Sequence, residues 1–244
     1  EKRSDELEGF FPDFSLDAIN VTIPHKKDVI PFCDTISPTA ARIGSVNTIV
    51  NRGGKLEGHN TDYYGFLRML SSWPVKVSSA KAIVLGSGGA SVTVQAVLND
   101  LGAAEIAVIS RGGENNYGNI YKHADADIIV NTTPVGMYPN NGVSPIALGD
   151  FPRCGAVLDL IYNPARTSLL LDAEERGIHY ANGLTMLVAQ ALKSAELFLD
   201  TEIPETRIVD ITEKMLSQMG NIILIGMPGC GKSTVGKIVS EITG

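Results

Sequence analysis

Two residues in this chain have types and settings suited to moving a proton. Lys26 lies in NVTIPHKKD (20–28), just after a short apolar run, and Asp62 closes GHNTD (58–62), where a helix is expected to begin. An ammonium donates to a developing alkoxide when its surroundings bring its pKa toward the working pH, and a carboxylate beside it pulls the other way. Separated by 36 positions in sequence, the two act together only if the fold brings two strand ends to one edge. His25, next to Lys26, points to the opposite side if strand geometry continues through it, and is given a structural role.

Two glycine loops carry a different chemistry. In AIVLGSGGASVTVQAVLNDLG (82–102) an apolar strand runs into Gly86, Ser87, Gly88, Gly89 and Ala90 and then into an apolar helix. Such a turn lets backbone approach a pyrophosphate at a helix N-terminus, although Ser91 stands at the sixth position, where glycine or alanine is usual. The next strand ends in Ser110-Arg111, where NAD-binding folds place an acidic residue. A guanidinium there suits a 2′-phosphate, so the reading favours NADP. Near the other end, NIILIGMPGCGKSTVGK (221–237) holds Gly226-x-x-x-x-Gly231-Lys232-Ser233, the full phosphate-loop consensus. Backbone around Gly229 and Gly231, the Lys232 ammonium and the hydroxyls of Ser233 and Thr234 are expected on nucleotide phosphates and magnesium.

The elements that must hold these residues read as α/β. Strands are expected at 18–23, 45–50, 105–110, 127–133 and 156–162 and ahead of each glycine loop, with NRGG (51–54) as a turn. Helices are expected from GHNTD through residue 70, after Gly89, and over 184–200 with a shorter one following. Asn60, Thr61 or Asp62 is the cap for the first of these. Contiguous apolar strands joined by crossovers imply a parallel sheet covered on both faces. The serine-rich interruption 71–81 marks a boundary. The expected layout is residues 1–70 as a substrate-binding unit, 76–183 as a Rossmann-like dinucleotide unit, 184–217 as helices returning to the first, and 221–244 as the start of a phosphate-loop unit.

With 244 residues, 44% of them apolar, the chain has ample material for two cores. A net charge of −7 gives no footprint for nucleic acid or an anionic membrane, so small molecules are the expected partners. Three scattered cysteines suggest neither a disulfide framework nor a metal site, and fit a reducing cytoplasm. No apolar run approaches the roughly 20 residues of a membrane helix, and the first ten residues lack signal-peptide character.

Taken in order, NVTIPHK, IGSVNT, GHNTD, GSGGAS, VNTTPVGM, DLIYNPARTSLL and NGLTMLVAQ resemble shikimate dehydrogenase over about residues 5–217. The resemblance implies NADPH-dependent reduction of 3-dehydroshikimate to shikimate. It assigns Lys26 and Asp62 as the catalytic pair, Asp62 either orienting the lysine or sharing its proton. Thr22, Asn47, Tyr162 and Gln190 become substrate contacts, and Gly86 to Ala90 the cofactor loop. Ser110 and Arg111 fall at the adenosine phosphate, Thr132, Thr133, Pro134 and Met137 along the cofactor cleft, and Leu160 and Gly183 near the nicotinamide. Against the family pattern, the serine pair that binds the substrate carboxylate has no counterpart, and Val92 stands where a basic residue is common. The segment from Asn221 resembles the opening of shikimate kinase, so a stretch of a bifunctional dehydrogenase–kinase polypeptide is expected. Three alternatives stand beside the NADP enzyme: an NAD-preferring quinate/shikimate dehydrogenase, an ATP-binding kinase fragment, and a dinucleotide-binding module without turnover.

Overall fold

The computed structural model describes residues 3, 6–11, 14–219 and 224–243, with backbone alone at 242 and 243. The chain opens with α1 (Leu7–Phe10), β1 (Ala18–Asn20), β2 (Thr35–Ile36), α2 (Pro38–Ile43), β3 (Thr48–Arg52) and β4 (Lys55–His59). These strands make one sheet in the order β1-β3-β4-β2. The sheet is mixed: β3 is antiparallel to both β1 and β4, and only β2 runs parallel to its neighbour. The cause is the two-residue Gly53-Gly54 connection between Arg52 and Lys55, a hairpin that only antiparallel strands accept. This arrangement still brings Lys26 and Asp62 together. Since β1 and β4 both oppose β3, their carboxyl ends leave the sheet on the same edge.

The expected strand 18–23 stops at Asn20, because the chain turns at Thr22, whose carbonyl accepts from the His25 amide at 3.0 Å. The expected strand 45–50 begins and ends later, at Thr48 and Arg52, and β4 has no apolar signal in KLEGH. A cluster of Leu7, Phe11, Val29, Val46 and Ile49 fills the space under this sheet, with Phe11 stacked on Phe32 at 4.7 Å.

A second sheet follows α3 (Asp62–Ser71). It comprises β5 (Lys81–Leu85), β6 (Glu105–Ile109), β7 (Ile128–Asn131), β8 (Ala156–Asp159) and β9 (His179–Ala181), with α4 (Gly89–Asp100) after β5 and α5 (Ser168–Glu175) before β9. All pairings are parallel, in the order β6-β5-β7-β8-β9. Every residue of β7 and β8 is buried. One face packs Val84, Val130 and Leu158 on α3 and α4, and the other packs Ile83, Ile129 and Val157 on Leu169 and Leu170 of α5. Strands β6, β7 and β8 end one to three residues before the expected limits, and the residues released, from Ser110, Thr132 and Leu160 onward, form the loops at the sheet's carboxyl edge. The chain leaves β5 for β6 on one side and then returns to β7 on the other, which makes the β5/β7 edge the crevice where parallel sheets bind ligands.

Helix α6 (Leu184–Leu199) lies along α3 and reaches back to the first sheet, where Ser194 Oγ is 3.0 Å from Thr48 Oγ1. A second tie is the fork between Arg42 of α2 and Asp100 of α4, both N···O distances being 2.6 Å. Helix α7 (Thr206–Met219) covers Val188 and Leu192 with Ile208, and α8 (Lys232–Thr243) follows. The strand expected before the second glycine loop falls largely on residues outside the described ones. Its remaining members, Leu224 and Ile225, are exposed and belong to no strand. Among the described residues no helix is long and apolar enough to cross a membrane.

Candidate active site

Lys26 lies in the turn after β1, and its carbonyl accepts from the Val46 amide at 2.8 Å, which fixes that turn against the start of β3. Asp62 is the first residue of α3, where a helix N-terminus favours a carboxylate. The helix is capped by Asn60, whose Oδ1 accepts from the Tyr63 amide at 3.1 Å and whose Nδ2 donates to the Ser45 carbonyl at 2.9 Å. Of the three candidate caps the side chain of Asn60 does this work, while Thr61 occupies the cap position with only its carbonyl bonded into the helix, by the Gly65 amide at 3.0 Å. The outcome is a Lys26 Nζ–Asp62 Oδ2 contact of 2.5 Å, with only 15% and 10% of the two side chains exposed. His25 sits in the same turn and not on a strand face, with Nδ1 3.3 Å from Asp28 Oδ2.

Behind the pair lies a buried polar network. Asn47 Oδ1 accepts from the Thr61 amide at 2.7 Å and from Thr48 Oγ1 at 3.1 Å, while its Nδ2 donates to Thr61 Oγ1 at 3.0 Å. Ser194 Oγ is 3.1 Å from Thr61 Oγ1, and Gln190 Oε1 is 3.5 Å from it. The residue before Asp62 is thus clamped from β3 and from α6, and Asn47 and Gln190 are gathered beside the pair. Thr22 lies exposed in the Lys26 turn, and Tyr162 is exposed in the loop after β8.

The first glycine turn joins β5 to α4. Gly86 has φ +103°, and a Cβ there would stand 2.8 Å from Thr132 Oγ1 and 3.0 Å from Thr133 Cγ2, so the turn fits closely against the loop after β7. Thr132 Oγ1 donates to the Leu85 carbonyl at 2.6 Å. By contrast nothing lies within 4 Å of the Cβ position at Gly88, and the first turn of α4 has no side-chain cap. Open space over uncapped helix amides is what a pyrophosphate requires. Ser87 is exposed beside it, with Gly89 and Ala90 opening the helix. Ser110 and the exposed Arg111 follow β6, next to β5, while Pro134 and Met137 are exposed in the loop after β7. Gly183 and Leu160 meet directly: a Cβ at Gly183 would lie 2.0 Å from the Leu160 carbonyl oxygen. The two halves of the site face each other, Lys26 Cδ lying 3.8 Å from the Cβ position of Gly89.

Several polar residues of this site were not singled out from sequence. Thr48 and Ser194 carry the network above with Thr61, which the sequence offered only as a cap, and Asn131, Asp159 and Thr167 join the loops after β7 and β8. Each lay within or beside a recognisable motif but reads there as an ordinary strand or helix residue. Burial pushes the Asp159 carboxyl up to about 6 despite its hydrogen bonds from Thr167, the Ile161 amide and Asn131.

The second glycine loop is built around its lysine. Lys232 Nζ donates to the carbonyls of Gly226 at 2.8 Å and Met227 at 2.7 Å, Gly229 and Gly231 have φ of +79° and +84°, and α8 carries Ser233 and Thr234 in its first turn. No cluster of three or more potential metal ligands occurs among the described residues.

The sequence model of the shikimate dehydrogenase substrate binding domain matches residues 2–49. The NADP(+) shikimate dehydrogenase of Clostridium perfringens is 35% identical over 209 residues, 80% of this chain and 77% of that one. Shikimate dehydrogenase 1 of Peptoclostridium difficile superposes with a TM-score of 0.80 at 36% identity, covering 89% of this chain and 84% of that one. The shikimate 5-dehydrogenase of Thermus thermophilus, solved in complex with NADP(H) and shikimate, superposes with a TM-score of 0.74 at 30% identity over 86% and 83% of the two chains.

Proposed function

The chain belongs to the shikimate dehydrogenase family, and from that premise we propose how its own residues carry out NADP-dependent interconversion of 3-dehydroshikimate and shikimate. The observation that carries the proposal is the enclosed Lys26–Asp62 pair facing the first glycine turn. NADPH, when bound, supplies the hydride that the ring ketone accepts. The reduced carbonyl oxygen then needs a proton, which Lys26 donates, and in the oxidative direction Lys26 takes the hydroxyl proton back. Asp62 orients the ammonium through its 2.5 Å contact and keeps a buried cation compensated.

Asn47 and Gln190, held by Thr61 and Ser194, hydrogen-bond the substrate hydroxyls together with Thr22, and Tyr162 closes the site from the loop after β8. Gly86 to Ala90 and the α4 amides receive the pyrophosphate. Ser110 and Arg111 take the 2′-phosphate, which is the basis for preferring NADP over the NAD-dependent alternative. Thr132, Thr133, Pro134 and Met137 line the cofactor cleft, with Leu160 and Gly183 at its nicotinamide end. In domain terms, residues 1–70 form the substrate unit, 76–183 the dinucleotide unit and 184–217 the helices that return to the first.

The test is NADP+ reduction with shikimate, followed as NADPH absorbance, with NAD+ run in parallel. Turnover with NADP+ and little with NAD+ is expected, whereas NAD+ preference overturns the role given to Arg111. For the segment after α7 we infer a second, separate phosphate site resembling that of shikimate kinase, with Gly229, Gly231, Lys232, Ser233 and Thr234 around ATP and magnesium. The curl of the loop about the Lys232 ammonium favours this reading. ATP affinity abolished by Lys232→Ala supports it, and affinity unchanged by that substitution removes it.

A further inference from the structure

We propose that Asp159 is a positioning residue for the cofactor, a buried brace that holds the loops after β7 and β8 in one arrangement. The inference rests on the NADP reading above and extends it to a residue that touches neither substrate nor cofactor. Asp159 is the last residue of β8 and is completely buried. Its Oδ1 accepts from Asn131 Nδ2 at 3.0 Å and from the Ile161 amide at 3.1 Å, and its Oδ2 accepts from Thr167 Oγ1 at 2.7 Å. Asn131, the last residue of β7, passes the constraint on, since its Oδ1 accepts from the Thr133 amide at 3.0 Å and from Thr133 Oγ1 at 2.7 Å.

Two backbone bonds tie the same loops together: the Leu160 amide donates to the Asn131 carbonyl at 3.0 Å, and the Tyr138 amide to the Asn163 carbonyl at 3.0 Å. One carboxylate therefore fixes Thr133, which closes against Gly86 of the cofactor turn, and the backbone on both sides of Leu160, which abuts Gly183. A buried carboxylate is a costly way to fasten two loops, because a charge out of water needs several donors to compensate it. All three donors here belong to segments lining the cofactor cleft or leading into it, so the cost is matched by definition of the cofactor's walls. The substrate-side network of Asn47, Thr61 and Ser194 shares no residue with it.

Thr167→Val removes one donor to Asp159, and with it the Thr167 cap on the Leu170 amide, at nearly constant volume, and Asp159→Asn retains the Oδ1 acceptor while Thr167 turns to accept. The experiment measures KM for NADP+, KM for shikimate, NADPH affinity by fluorescence, and amide hydrogen exchange over 132–138 in both variants and in the unsubstituted chain. Thr167→Val is expected to raise KM for NADP+ about tenfold, to raise KM for shikimate by much less, through Tyr162 of the same loop, and to speed exchange over 132–138. Asp159→Asn, which keeps the Asn131 and Ile161 contacts, is expected to retain most of the affinity. Equal rises in both KM values, or faster exchange with unchanged NADPH affinity, overturn the brace. If the unsubstituted chain binds no NADPH, the NADP reading falls and the brace with it, whereas normal binding in every variant removes the brace alone.

Discussion

Replacing Asp159 by Asn gives a stability measurement whose sign and size follow from burial. The native carboxyl is pushed from 3.8 up to about 6, with desolvation as the leading cause. A raised acid pKa means the folded chain holds a proton that the unfolded chain has already released. Stability therefore falls as pH rises from the unfolded value through the folded one, and levels off above about pH 6. A shift of roughly two units at about 1.4 kcal/mol each amounts to about 3 kcal/mol between the two plateaus. Asparagine does not titrate, so the difference between Asp159→Asn and the unsubstituted chain isolates this contribution from every other carboxylate. Urea unfolding of both proteins at about pH 4 and about pH 7.5 should show the variant gaining about 2 kcal/mol on its parent, since at pH 4 the unfolded carboxyl has already lost part of its proton. A difference that does not change with pH refutes the claim that Asp159 is ionised at a desolvation cost.

Arg111→Ala should raise KM for NADP+ about 10- to 100-fold and leave NAD+ kinetics unchanged; equal losses with both dinucleotides contradict a 2′-phosphate contact. Gly183→Ala inserts a Cβ 2.0 Å from a backbone oxygen, so the thermal midpoint should drop by an amount corresponding to about 1–3 kcal/mol or more, together with NADPH affinity. Arg42→Ala breaks a fork whose side chains are 49% and 35% exposed, and should leave the urea midpoint almost unchanged.

The parallel sheet was legible because strands buried on both faces must be apolar throughout, as AIVL and IIV are here. The first sheet was legible only in part: β1 and β3 were expected, but KLEGH spends two of its five positions on charges, so β4 left no apolar signal, and the NRGG turn alone marked the hairpin that makes the pairing antiparallel. The catalytic pair was readable through the motifs that contain it, and its closeness follows from β1 and β4 sharing a direction. The supporting residues escaped notice for one reason. Thr48, Ser194, Asn131 and Asp159 act by bonding other protein groups, and a buried hydroxyl or carboxylate with protein partners looks the same in sequence as an exposed one. Helix α5 and strand β9 were missed as well. The capping role of Thr167, which accepts from the Leu170 amide at 3.4 Å, emerges only once the loop before it is fixed.

Lys26 is the group that moves the proton, and Lys26→Met removes its ammonium with the length of the side chain nearly kept. NADPH affinity by fluorescence and kcat for shikimate oxidation should be measured on the same preparation. If Lys26 is that group, kcat falls by about 10²- to 10⁴-fold with NADPH affinity within about twofold of the parent. Turnover near the parent's rate in a protein that still binds NADPH contradicts it.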